Sequence, residues 1–133
     1  MQPVRLVTYL LLSLLFISCN YTTRYQNAHA TIAIADSLDQ NEHILYDDTA
    51  ALQQAIHTLD NPFGHLFAHN ELGKAHYYIG RHFSLADQIT QAAEHYIAAD
   101  RAQIDDPIYR GRINSCLGHI SKQNENDSLA LIF

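Results

Sequence analysis

The feature that most constrains this chain is the spacing of its apolar residues, which from Ala28 onward recur mostly at intervals of three and four. That is the period of a helix burying one face. Caps and prolines cut the pattern into successive helices. Asp47, Asp48 and Thr49 supply capping oxygens and early negative charge ahead of the stripe Leu52, Ala55, Ile56 and Leu59. Asn61-Pro62 ends this helix and starts another, because proline at a first helical position gives up only an amide hydrogen that would lack a partner. The third segment runs to about Arg81 through Leu66, Leu72, Gly73 and Ile79. Ser84 to Asp87 read as the cap of a fourth, with a broad apolar face that includes Ile89, Ala92, Tyr96 and Ala99. Asp106-Pro107 repeats the cap-plus-proline start for a fifth, marked by Ile113, Cys116, Leu117 and Ile120. Ahead of them all, Ala28 to about Gln40 makes a first helix with Ile34, Ala35 and Leu38 on one face. Its alternating residues 30–35 also suit a strand, but no later segment offers a partner strand. The expected class is all-α, built of antiparallel helix pairs.

At 133 residues the chain is long enough for one modest domain. Fourteen acidic side chains against eight basic ones leave a formal charge of -6, which excludes a surface built to neutralise a phosphate backbone. Nucleic acid is therefore not an expected direct partner.

Residues 1–18 have the plan of a secretory signal: a short head carrying Arg5, then twelve uncharged residues from Leu6 to Ile17. A comfortable membrane span needs about 20 apolar residues. The run closes on Phe16-Ile17-Ser18-Cys19, which resembles the lipobox of bacterial lipoproteins. That resemblance implies cleavage before Cys19 and a diacylglycerol on its sulfur, so that Cys19 is the lipidation site and the chain is held to a membrane in the cell envelope, facing the periplasm. Residues 19–27 then read as a flexible tether, showing neither a helical nor a strand period, and residues 28–133 as the folded body. With Cys19 occupied, Cys116 is the remaining thiol, and its neighbours at helical spacing make it a small buried apolar side chain.

Leu72-Gly73 in the third segment is matched by Leu117-Gly118 in the fifth, and Ala92, Tyr96 and Ala99 follow in the fourth as small, aromatic, small. This resembles the tetratricopeptide repeat, and with the lipobox and the Ala-Asp-Ser-Leu opening at residues 35–38 the chain is similar to repeat-bearing lipoproteins of Bacteroidetes-type bacteria. The resemblance implies a short solenoid of stacked helix pairs. Gly73, Gly118, Ala92 and Ala130 would lack bulk where helices approach closely, and Tyr96 would fill the space between units. From Gly73 to Ala92 there are 19 positions where the family has 12, so two extra turns must lengthen the hairpin around Gly80 to Ser84. Asn124 to Asp127 read as a turn, and the helix begun at Ser128 stops at Phe133, too short to stand alone, so the sequence reads as the front of a longer frame with an incomplete last repeat.

Nine histidines invite a metal hypothesis. On one continuous third helix His65, His69 and His76 would fall within about 40° of one another, beside Leu72. Zinc can take such a set, but no His-Glu-x-x-His or Cys-x-x-Cys accompanies it, so packing is the expected role and no cofactor is expected. No Ser lies in a Gly-x-Ser-x-Gly elbow, the five glycines stand singly, and the pairs Asp47-Asp48 and Asp105-Asp106 each precede a helix, where capping accounts for them. Tyr77, Tyr78, Tyr96 and Tyr109 read as packing. The expected function is non-enzymatic binding of a peptide or protein in the groove lined by first helices. His65, His69, His76, Arg110 and Asn114 are its candidate contacts, and Arg81, Arg110 and Arg112 are available to a partner's carboxylates. Two alternatives stand beside it: the sensor portion of a longer signalling or transcription-regulating protein, and a metal-dependent enzyme on the histidine stripe.

Overall fold

The computed structural model describes residues 2–132, with side-chain surroundings given through residue 125. Among the described residues the chain is helical, without a strand. Helix α1 (Gln2–Ser37) passes into a π-helical turn (Leu38–Glu42) and is followed by α2 (Thr49–Leu59), α3 (Pro62–Phe67), α4 (His69–Leu85), α5 (Ile89–Arg101) and α6 (Pro107–Ile132). Neighbours in sequence pack as hairpins: α1 on α2, α4 on α5, α5 on α6. α2 also packs on α4, which brings α1 and α4 side by side.

Local chemistry accounts for most of the boundaries. The Asp48 carboxylate caps α2 through the amide of Ala51 at 3.0 Å. Asn61 caps α3 through the amide of Gly64 at 2.8 Å, with Pro62 at the first position. The core is one cluster in which Ile32, Ala35, Leu52, Leu59, Leu72, Ile79, Ala92, Ile104 and Ile113 surround the rings of Tyr77, Tyr78, Tyr96 and Tyr109.

Several boundaries differ from the sequence reading. The third segment is two helices, broken at Ala68, whose backbone leaves the helical region (φ -133°, ψ 30°) while its side chain enters the core. This break lets α3 turn off the end of α2 and α4 start afresh. Ser84 is no cap: α4 continues to Leu85, and Asp87 makes the turn with a positive φ of 60°. Residues 20–27, expected as a loose tether, continue α1, since they hold no Gly or Pro to interrupt it; the Thr22 and Thr23 hydroxyls turn back and donate to the carbonyls of Ser18 and Cys19. Asn124 to Asp127, expected as a turn, likewise lack Gly and Pro and continue α6. On α1 the buried face is Ala28, Ile32 and Ala35, with Ile34 pointing out. Among the described residues Gly118 has nothing within 4 Å of where a Cβ would stand, so the small residue there answers to no close helix approach by them; the side chain of Ala130 and residue Phe133 lie outside the described part.

Candidate functional site

The end of α1 carries two carboxylates that meet cations from other helices. Asp36 accepts from Lys74 Nζ at 2.8 Å and from the hydroxyls of Tyr78 (2.5 Å) and Tyr109 (2.8 Å), which are 2.9 Å from each other. One π turn on, Asp39 is buried and accepts from Arg81 at 3.1 Å and Arg112 at 2.6 Å. The wider π turn takes Asp39 inward to this position, and His43 closes it in the left-handed region (φ 55°). Lys74 and Arg112 lie over the ring of Tyr109, and Arg81 over that of Tyr77. Three cations thus converge on two carboxylates, leaving the cluster one positive charge in excess in an acidic protein.

Above Asp39 the two guanidiniums border an open groove of about 690 Å³ between α4 and α6, with Tyr77, Ile108, Ser115 and Cys116 along it. Cys116 is half-buried there, packed against the core on one side and facing the groove on the other. Each guanidinium has more N–H groups than Asp39 can engage and remains partly open to solvent, so a second carboxylate can bridge them. The tyrosines of the cluster are donors, not bases. Burial raises Tyr77, Tyr78, Tyr96 and Tyr109, the last to about 12, so all keep their protons at neutral pH. No family model, curated protein or solved structure matches the chain.

The histidines expected on one stripe are separated by the break at Ala68 and by different partners. His65, on α3, bonds Asp60 at 2.8 Å; His69, at the start of α4, meets Asp105 at 3.2 Å; His76 faces His95 of α5, with their Nδ1 atoms 3.0 Å apart. Among the described residues no three His, Cys, Asp or Glu side chains are grouped to hold a metal. His65, His69 and Arg110 do share a second cleft of about 790 Å³ at the turn between α5 and α6. Asn70 and Asp105 close it by exchanging bonds of 3.0 and 2.8 Å, and the bonds from Asn70 and His69 hold the Asp105 carboxyl below its ordinary range. His76 lies elsewhere on α4, and Asn114 is exposed outside both clefts. Arg81 and Arg112, expected to meet a partner's carboxylates, find one within the chain, on Asp39. The signal available was the pair Asp36 and Asp39 at helical spacing on a mostly apolar helix.

Proposed function

We propose that the chain is a membrane-anchored, non-enzymatic scaffold that holds an acidic peptide or protein segment in the groove between α4 and α6. The observation that carries this reading is the pair Arg81 and Arg112, half-satisfied by a single buried carboxylate and opening beside Tyr77 and Ile108. A bound carboxylate would take the spare N–H groups while apolar side chains pack along the same groove.

The tetratricopeptide reading gains a better register here than Leu72-Gly73 offered. A Cβ on Gly80 would stand 2.7 Å from the ring of Tyr96, so Gly80 is the glycine of this hairpin that the second helix approaches through its aromatic. Counted from Ile79-Gly80, Ala92 follows at the family's interval of 12, then Tyr96 and Ala99, and the extra turns disappear. Gly73 instead meets Ile104 and Ala102 at the far end of the hairpin. The succession of helix neighbours, each packed on the next with α1 beside α4, supports a short solenoid whose groove is lined by α4, α6 and the π turn that ends α1.

Anchoring rests on α1. Together with its π turn it is long and apolar enough to cross a membrane, a test that a signal sequence also passes, and its apolar window is wholly exposed. Cys19, exposed one residue beyond Ser18, is the proposed acceptor of a diacylglycerol in a cell-envelope lipoprotein facing the periplasm. Palmitate labelling that vanishes in a Cys19→Ala variant tests this part.

The groove is tested by a photo-crosslinking residue at Ser115, on its rim, in intact cells. A discrete adduct from position 115 that disappears in Arg81→Glu, Arg112→Glu, with none from exposed Gln91 on α5, is the expected result. Equal crosslinking from both positions, or none from 115, overturns the groove assignment.

A further inference from the structure

We propose that α3 is a second membrane contact: Phe63, Leu66 and Phe67 dip into the lipid headgroup region at the end of the body from which the anchor emerges. The inference rests on the anchored reading above and names a surface that the anchor alone does not require.

Helix α3 buries little. Phe63, Leu66 and Phe67 are 60%, 68% and 64% exposed, and the two Phe rings lie 4.8 Å apart, so three large apolar side chains form one patch on a six-residue helix. Among the described residues nothing covers it, and single exposed apolar residues are ordinary where a clustered trio is not.

Contacts along α1 give the level of that patch. Glu71 pairs with His29 at 3.2 Å, Lys74 with Asp36 and Arg81 with Asp39, so α4 runs parallel to α1 and its start lies near residue 27. From the other side, Thr58 near the end of α2 shares a hollow with Arg24 and Asn27. The chain between these two points includes α3, which therefore lies at about the level of residues 24–27 of α1. Arg24 is five residues beyond Cys19, about 8 Å along a helix. The headgroup layer is about 5–8 Å deep, so a bilayer that receives a lipid on Cys19 brings its polar surface up to α3. Tyr21 and Arg24 on the intervening turn are the residue types that settle at such a boundary. Because α1 is continuous from Cys19 into the core, the patch has a fixed height above the anchor. A second contact would then stop the body from tilting and hold the α4–α6 groove in one orientation to the membrane.

The chain contains no Trp, so a single introduced indole reports without background. The lipidated chain carrying Phe67→Trp, purified from membranes, is reconstituted into phosphatidylethanolamine–phosphatidylglycerol vesicles with and without brominated acyl chains, beside Leu85→Trp, an exposed position at the opposite end of α4. Co-flotation with the vesicles and blue-shifted emission from position 67, quenched several-fold more strongly by bromolipid than position 85, is the expected result. Flotation with solvent-like, unquenched emission from position 67 overturns the second contact while leaving the anchor intact. Failure to float overturns the anchored reading and this inference with it.

Discussion

His76 and His95 meet through their Nδ1 atoms at 3.0 Å, a bond that exists only when one ring donates and the other, unprotonated, accepts. Burial and the facing His95 lower His76 to about 4, and burial lowers His95, while Asp60 and Glu94 pull weakly the other way and His65 adds to the depression of His76. Phe83 stacks on the far side of His95. Between the ordinary histidine pKa and about 4 the unfolded chain binds protons that the folded chain refuses, so stability present above about pH 6.5 is lost as pH falls. For His76 alone the loss is on the order of 3 kcal/mol at pH 4. Urea midpoints measured from pH 7.5 to 4 should fall steeply for the native chain and distinctly less for His76→Phe; parallel curves would refute this account. Asp39 makes a separate prediction. Replacing it by Asn strips the negative partner from two guanidiniums that are partly solvated, and should lower stability by about 1–3 kcal/mol in denaturant titration. Neither pairing was legible in the sequence. His76 and His95 sit 19 positions apart on different helices, and Asp39 meets Arg112 across 73, so both depend on how helices stack and not on any local spacing.

Helix boundaries were legible where a side chain does the work and illegible where packing does. Asp48 and Asn61 cap as their chemistry requires, and Pro62 and Pro107 open helices. The break at Ala68 carries no such signal, since alanine favours helix and the interruption serves to bury that methyl in the core. The glycines separate the same way. A Cβ on Gly64 would land on the carbonyl oxygen of Leu59, backbone that cannot yield without shifting the α2–α3 corner, and one on Gly80 would press into the ring of Tyr96. On α6, Gly111 and Gly118 face open space. Gly64→Ala should therefore destabilise strongly and Gly80→Ala by about 1–3 kcal/mol, by overpacking. Gly118→Ala should stabilise by about 0.5–1 kcal/mol, because alanine restricts the unfolded chain and costs nothing in the folded one. Thermal unfolding of the three variants checks the ordering, and destabilisation by Gly118→Ala would mean that a neighbour packs against α6 there.

Across the whole molecule, apolar surface is divided unevenly along one helix. Before Tyr25, α1 contributes nothing to the core, and Val4, Leu10, Leu14, Phe16 and Ile17 stand more than half exposed. From Ala28 the same helix is a core element, joined to α4 by the Asp36 and Asp39 clusters. The helix therefore does two jobs in succession: its first half is matched to lipid or to a targeting machinery, and its second half to protein. Residues 2–18 are exposed throughout, so among the described residues a chain shortened to begin at Cys19 loses exposed surface alone. The shortened chain should keep the stability of the body to within about 0.5 kcal/mol, since the nearest deleted residue lies outside every core contact. It should also stay monodisperse without detergent, whereas the full chain, with an apolar helix open to water, should associate. Equilibrium unfolding and sedimentation of the two forms side by side test both statements. A loss of more than about 1 kcal/mol would mean that residues 1–18 fold back on the body, which would remove the physical basis for treating them as a segment apart from it, signal or anchor.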